Sequence, residues 1–422
     1  MKKILALISV FIVFTNTAVA NDGTIAFVGA RIIDGTDATP LENGVLVITD
    51  GRIRAMGYMD DVTLPDGTTV IDVSGKTIMP GIINAHGHVG DVIGLQGGHY
   101  TADNLLRQLS LYARYGVTTV NSLGGDGEEG FAIRDIQNNA GLNRARIMVA
   151  GSVVSGTNED AIRAEVNKNA DMGANYIKMR LDDNLGRSQK MPYELFDALL
   201  DQAHNRRLPL AVHLFYLDDA KYILRAGADL IAHSIRDKHV DDEFVGLIKS
   251  KDICYVPTLT REVSAFAYAE KPEFFNDPFF LKEVDPAVLR ELMTAERRER
   301  VKNSPTAAGY KAGLNIAMEN IDLLNMADVK IAMGTDTGVA ARFQGYFEHM
   351  EMHMMADAGM SPMEIIRAST GVAAACIGAH DVGTLTPGKW GDLVVLSDNP
   401  AEDIRNTKSI ESVWIAGNRV PD

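Results

Sequence analysis

Cysteine is nearly absent: Cys254 and Cys376 are the two in a chain of 422 residues. A multi-disulfide framework is excluded, and the apolar surroundings of both ("DICYV", "VAAACIG") predict two buried free thiols. Basic residues are in deficit, 41 against 56 acidic, for a net charge of −15. Such a surface disfavours nucleic acid and anionic membrane as partners and says nothing about fold. Long apolar runs are also missing outside "MKKILALISVFIVFTNTAVA", where the run is short for a membrane span and no stop-transfer segment follows. Two lysines lead that segment and Ala-Val-Ala closes it before Asn21, the pattern of a signal peptide cleaved near Ala20. The expected product is exported, periplasmic or secreted. No cysteine lies near the cleavage point, so lipid anchoring is not expected. Cleavage would remove Lys2 and Lys3 and no acid, so 41 basic residues become 39 against 56 acidic, a net charge of −17.

What remains is ordinary globular material, 46% hydrophobic and 23% charged, enough for a barrel and a smaller second domain. Residues 22–77 read as short strands with turns, "TDGR" supplying a hairpin between two β-rich runs. Residues 383–422 read the same way, in "GTLTPGKWGDLVVLS" and "IESVWIAGNRV". These two ends predict one small β-sandwich domain. Between them, over 78–382, apolar strands alternate with amphipathic helices. The strands are "IMPGIINAH", "VTTVNSL", "RIMVAGS", "NYIKM", "LPLAVHL", "LIAHS", "ICYVPTL" and "KIAMGTD". "TADNLLRQLSLYARYG", "EDAIRAEVNKNADMG" and "PYELFDALLDQAHNRR" are among the helices between them. That alternation predicts an α/β fold, a (β/α)8 TIM barrel. A doubly wound open sheet is the alternative, but no Gly-rich phosphate fingerprint follows the first strand. One connection is unusually long, an insertion over about 260–305 with Phe and Tyr near its start; such insertions are commonly lids or binding loops.

In a (β/α)8 barrel chemistry sits at the C-terminal strand ends. The first strand delivers His86 and His88, two residues apart and so on one side of a strand. The fourth delivers Lys178, the fifth His213, the sixth His233 and the eighth Asp336. Singly, each has a bland explanation: a satisfied core histidine, a snorkelling lysine, a helix N-cap aspartate. Together, six metal-competent groups at one end of one barrel point to a metal centre.

This set resembles the amidohydrolase superfamily, in its metal-dependent prolidase-like and imidazolonepropionase-like branch. The first-strand His-x-His, the strand-four Lys, the two later His, the strand-eight Asp and "GTLTPGKWGDLVVL" carry the likeness over nearly all of the chain after its leader. The resemblance implies two divalent ions, most readily Zn²⁺. His86, His88 and Asp336 would hold one ion and His213 and His233 the other, with Lys178 bridging as a carbamate made from CO2. It implies hydrolysis by hydroxide ionised between the metals, with Asp336 moving the proton to the leaving group.

Deaminases of the superfamily tend to carry His-x-x-Glu at strand five; here Leu214, Phe215 and Tyr216 follow His213, which favours hydrolysis. Prolidase-like relatives often show Gly-Gly-His after strand three and His-x-His at strand five. "GSVVSGTNED" and "HLFYL" stand here instead and count against a dipeptidase. Arg180, Arg236 and Arg261 follow strand ends and Arg342 lies beyond strand eight, so one or two of them are candidates to clamp a substrate carboxylate. Tyr216 or Tyr255 could serve as an oxyanion donor, and His99 could line the pocket. The expected substrate is a small carboxamide with an apolar moiety, such as an N-acyl amino acid, dipeptide or aryl amide. Hydrolysis of esters, lactones, cyclic amidines or imidazolones, deamination, and a non-catalytic scaffold stand as alternatives. "EHMEMH" places His349 and His353 at i, i+4 but lacks the His-Glu-x-x-His order, so a helix face or outer contact is expected. His204, His239 and His380 read as surface residues. A homo-oligomer is left open.

Overall fold

The computed structural model describes residues 23–422, so the leader expected over 1–20 lies outside the described residues. Both chain ends join one eight-stranded mixed sheet. Its order runs Asn418–Arg419, Ile410–Ile415, Leu393–Leu396, Thr77–Pro80, Ile25–Ile32, Leu41–Thr49, Arg52–Tyr58, and Thr69–Asp72 also pairs with Ile25–Ile32. The "TDGR" turn forms as a two-residue hairpin, with Thr49 opposite Arg52 and positive φ at Asp50 (51°) and Gly51 (76°), the pair of left-handed residues a type I′ turn demands. Phe27, Leu46, Ile78 and Leu393 make the core of this sheet, and Trp414 meets Phe27 edge to face at 5.0 Å. The apolar run "IMPGIINAH" is cut in two at Gly81: Thr77–Pro80 belongs to this sheet, so the sheet extends past residue 77, and Ile82–Gly87 begins the next. A Cβ on Gly81 would strike Thr118, which explains the break.

The remaining strands are parallel. Ile82–Gly87, Val117–Ser122 and Arg146–Val149 form one sheet. Val153–Val154, Ile177–Leu181, Leu210–Leu214, Leu230–Ala232 and Cys254–Val256 form another. Their pattern is nearly continuous burial, as expected of strands covered on both faces. Intervening helices start on the side chains that favour starts: Thr101 accepts from Asn104 N, Asn158 from Ala161 N and Asp241 from Phe244 N. "KIAMGTD" is not a regular strand. It still bridges the two sheets: Tyr255 pairs with Ile331 and Gly87 with Thr337. Ala332 N donates to Tyr255 O at 2.9 Å and Thr335 N to His86 O at 3.0 Å. Asp336 at φ 58° bends the segment out of β geometry, which ends the ladder. Among the described residues no helix is long and apolar enough to cross a membrane.

Two expectations are corrected. Cys254 and Cys376 are not free thiols but a disulfide, S–S 2.01 Å with Cα atoms 5.8 Å apart, across a separation of 122 residues. One opens a strand and the other closes the helix Gly371–Cys376; only packing brings them together, so local apolar context could not reveal the bond. Closing so long a loop stabilises chiefly by restricting the unfolded chain, typically by about 2–4 kcal/mol. The Cys254→Ser/Cys376→Ser variant should therefore unfold at lower urea with an active site still formed, measured by urea titration; an unchanged midpoint would deny the bond a stabilising role.

The insertion is not an open aromatic lid but a run of short helices, Leu259–Phe266, Pro278–Leu281, Pro286–Leu292 and Ala295–Lys302 among them. Its aromatic residues bury themselves: Tyr268, Phe275 and Phe280 cluster with Tyr115, Tyr346 and Phe347. A hydrophobic element of this size must satisfy its own core before it can cover a ligand.

Candidate metal centre

Asp336 stands at the centre of the site. Its Oδ1 is 2.8 Å from His88 Nε2 and 3.6 Å from His86 Nε2, and its Oδ2 is 4.0 Å from His233 Nε2. Lys178 Nζ lies 3.1 Å from His86 Nε2. The rings of His86 and His233 are 4.6 Å apart, and those of His213 and His233 4.1 Å. All six side chains therefore meet, although His88 and Asp336 are 248 residues apart in sequence. Parallel strands do this by ending together: His86 lies in Ile82–Gly87, Lys178 in Ile177–Leu181, His213 in Leu210–Leu214, and His233 just past Leu230–Ala232. His233 (φ 138°), Thr258 (φ 54°) and Asp336 (φ 58°) occupy the left-handed half of backbone space, strain of the kind that gathers at functional sites.

The electrostatics favour lone pairs over protons. Burial holds His86 and His233 well below the ordinary histidine range. Burial also pushes His213 down to about 3, even against its bond to Asp182. Burial pushes the Lys178 amine down to about 7. For Asp336 burial works upward, but the Arg342 guanidinium opposes it and keeps the carboxyl well below its usual range.

These groups fit a divalent ion. His88 Nδ1 faces the Gly124 carbonyl at 2.9 Å and must donate to it, so Nε2 presents a lone pair to Asp336 Oδ1. Two acceptors at 2.8 Å need a proton or a cation between them. His233 Nε2 is buried without a hydrogen-bond partner among the described residues, while Nδ1 sits 2.6 Å from Thr258 Oγ1. His213 Nε2 donates to Asp182 Oδ2 at 2.8 Å, leaving Nδ1 as its free acceptor. Ligand atoms of His86, His88 and Asp336 lie within 4.8 Å of one another, and imidazole with carboxylate suits Zn²⁺ or a similar ion.

The other candidates separate. Arg342 pairs with Asp336 Oδ2, and Arg261 Nε approaches the same oxygen at 3.9 Å. Arg236 is fully buried, bonded to Ser234 O at 2.7 Å and 3.2 Å from Glu262, with Nη2 lacking a hydrogen-bond partner among the described residues. Arg180 leans on Asp182 and Asn184 and lines a cavity of about 650 Å³ with Lys190, Ser155 and Leu195. Tyr216 donates to Asp183 at 2.8 Å, and Lys190 of the cavity wall lies over its ring at 4.6 Å. Tyr255 is buried with its hydroxyl accepting from Ile235 N at 2.8 Å, turned into the core rather than toward a substrate. His99 is exposed, as are His204, His239 and His380.

Sequence reading missed Asp182, Thr258, Glu262, Glu348 and Glu351. Asp182 sits four residues past Lys178, and that spacing alone could have marked it; the rest become visible only through packing. In "EHMEMH", His349 is a helix-face contact: Nε2–H donates to Tyr115 O at 2.8 Å, and the ring packs edge-on to Phe279 at 4.9 Å. Burial pushes this imidazole down to about 3. The folded state thus prefers the neutral ring, so its stability contribution is whole above the unfolded value near 6.5 and is lost as pH falls toward 3. His349→Gln keeps a donor for Tyr115, so the variant's urea midpoint should fall less steeply than wild type between pH 6.5 and 4; parallel curves would contradict this.

Comparison with known proteins fits the geometry. The amidohydrolase family model matches residues 77–420. The chain belongs to the amidohydrolase family. Membership makes it a hydrolase. An ochratoxinase from Aspergillus niger is 24% identical over an aligned length of 458 residues, 95% of this chain and 87% of the relative. A putative prolidase from Bifidobacterium longum superposes with a TM-score of 0.76 at 24% identity, over 94% of both chains. A Xaa-Pro dipeptidase with bound methionine in its active site gives 0.75 at 22% identity, over 94% of this chain and 99% of that one. These structural likenesses speak for the family's fold.

Proposed function

We propose that this chain is an exported, two-metal hydrolase of carboxamide bonds. The observation that carries it is the convergence of His86, His88, Lys178, His213 and His233 around Asp336, with His88 Nε2 facing a carboxylate oxygen and His233 Nε2 buried without a hydrogen-bond partner among the described residues. His86, His88 and Asp336 would hold one ion, His213 and His233 the second, and Lys178, as a carbamate, would bridge both. Bound there, Zn²⁺ or a similar ion supplies Lewis acidity to the scissile carbonyl and acidifies a water. The protein's own part is to hold the imidazoles neutral, to accept a proton at Asp336 Oδ and deliver it to the departing nitrogen, and to keep Asp336 ionised through Arg342.

The cavity of about 650 Å³ lined by Asp182 is of a size that takes a small molecule; Arg180 lines it too, and Tyr216 lies under the lining Lys190. Arg261 and Arg342 are the other candidates for a substrate carboxylate, since both reach the Asp336 carboxylate. An N-acyl amino acid, dipeptide or aryl amide satisfies a cationic clamp and an apolar wall together. The relatives named ochratoxinase and Xaa-Pro dipeptidase lend support to amide substrates.

We read the two parallel sheets as one closed (β/α)8 barrel over about 81–382, supported by the 331–337 segment that bridges them, and the sheet of both chain ends as the smaller β-sandwich domain. Export is supported by the leader in residues 1–20 and by a disulfide, which persists in oxidising compartments. The test is a screen of purified, Zn-loaded protein on N-acyl amino acids, dipeptides, aryl amides, esters, lactones and a phosphotriester, with metal content measured on the same sample. About two ions per chain and amide cleavage are expected. Cleavage of lactones or phosphotriesters alone would overturn the substrate class, and a metal-free, inert protein would favour a scaffold.

A further inference from the structure

The helix Tyr346–Asp357 carries two fully buried acids, Glu348 and Glu351, three residues apart and so on one face. Glu348 Oε1 accepts from Asn84 Nδ2 at 2.6 Å, Thr335 Oγ1 at 2.8 Å and Thr337 Oγ1 at 2.6 Å. Thr335 and Thr337 flank Asp336, and Asn84 Oδ1 in turn accepts from His86 N at 3.0 Å. Glu351 Oε1 accepts from Leu259 N at 2.6 Å, and its Oε2 from Thr260 N and Thr260 Oγ1, both at 2.8 Å. Those residues follow Thr258, whose Oγ1 meets His233 Nδ1 at 2.6 Å.

Each acid therefore grips the residues beside one left-handed position, Asp336 for Glu348 and Thr258 for Glu351. A β-branched residue at positive φ, such as Thr258, holds that conformation only when its neighbours are fixed. Two acids buried one turn apart and served by neutral donors cost stability that apolar residues would not. Their presence is explained if the geometry they impose is needed.

We propose that Glu348 and Glu351 are separate positioning residues for the two halves of the metal centre: Glu348 sets Asp336 for the ion held with His86 and His88, and Glu351, through Thr258, sets His233 for the ion held with His213. This rests on the two-metal reading above. The role belongs to the helix, not to its histidines, so "EHMEMH" matters for its acids.

The experiment titrates Co²⁺ into metal-free wild type, Glu348→Gln and Glu351→Gln, following the absorption of the two bound ions and counting metal after dialysis, with circular dichroism as the fold control. Loss of an outer partner typically weakens metal binding by roughly 10–100-fold. Glu351→Gln should weaken one ion by that factor and leave the other at wild-type affinity, and Glu348→Gln should weaken the opposite ion. If Glu351→Gln fails to fold, Thr258→Val and Thr258→Ser decide its half: Ser restores the hydroxyl and should bind both ions as wild type does, while Val should lose the His233 ion. If Glu348→Gln fails, Thr337→Ser should likewise bind both ions and Thr337→Val should weaken the ion held with His86 and His88. Two ions bound by every variant with wild-type affinity would overturn the clamp alone. Fewer than two in wild type would overturn the two-metal reading and the clamp with it.

Discussion

Lys178→Ala will leave a folded chain that holds little divalent metal and turns over its substrate at a small fraction of the wild-type rate. Lys178 is 3% exposed, sits in the strand Ile177–Leu181, and places its amine 3.1 Å from an imidazole nitrogen. An ammonium there would be desolvated and repelled by any cation bound to the neighbouring histidines. Burial instead pushes the amine down to about 7, so near neutral pH much of it is unprotonated and able to attack CO2. The carbamate proposed to form, with loss of a proton to solvent, would be an anion with two oxygens and would match the two ions proposed. Removing such a ligand should exceed the roughly 10–100-fold loss typical of an outer partner. Metal analysis and turnover on one sample check it; unchanged metal content and rate would reject the bridging role. Because Ala is small and the strand is held by its parallel neighbours, thermal unfolding should confirm that the fold survives.

Asp336→Asn will lower kcat by about 10²–10⁴-fold, the usual worth of a positioned acid–base group, with a smaller change in KM. The carboxylate is held ionised by Arg342 against the pull of burial, so wild type carries this base near neutral pH. The sign follows: a depressed carboxyl adds stability above the unfolded value near 3.9, which is lost as pH falls below it. The amide can neither accept the proton nor balance Arg342, so Asn should also flatten that acid limb. Steady-state kinetics with metal content measured in parallel separates proton transfer from ligation. A kcat within threefold of wild type in the metal-loaded variant would remove Asp336 from the chemistry.

Much of this protein is written locally. Alternation of apolar strands with capped helices announces an α/β fold, and "TDGR" announces its hairpin. The spacing in "NAHGH" turns two imidazoles to one side, and four further strand ends supply the remaining ligands in order. What local pattern could not give is contact across distance. The disulfide of Cys254 and Cys376 looks like two lone thiols until a strand and a helix meet. Arg236 follows a strand end and Tyr255 lies within the strand Cys254–Val256, yet both are buried in the core, because a position at or near a strand end does not fix which way its side chain turns. The aromatic insertion reads as a lid and packs as a small core of its own.

Sequence by itself determined which chemical groups this chain can bring together, because residue type and period fix what each strand end offers. Only tertiary structure decided how they are held. Glu348 and Glu351 gain meaning from loops that the chain returns to the same helix, and a hydrogen bond between distant segments leaves no trace in either one.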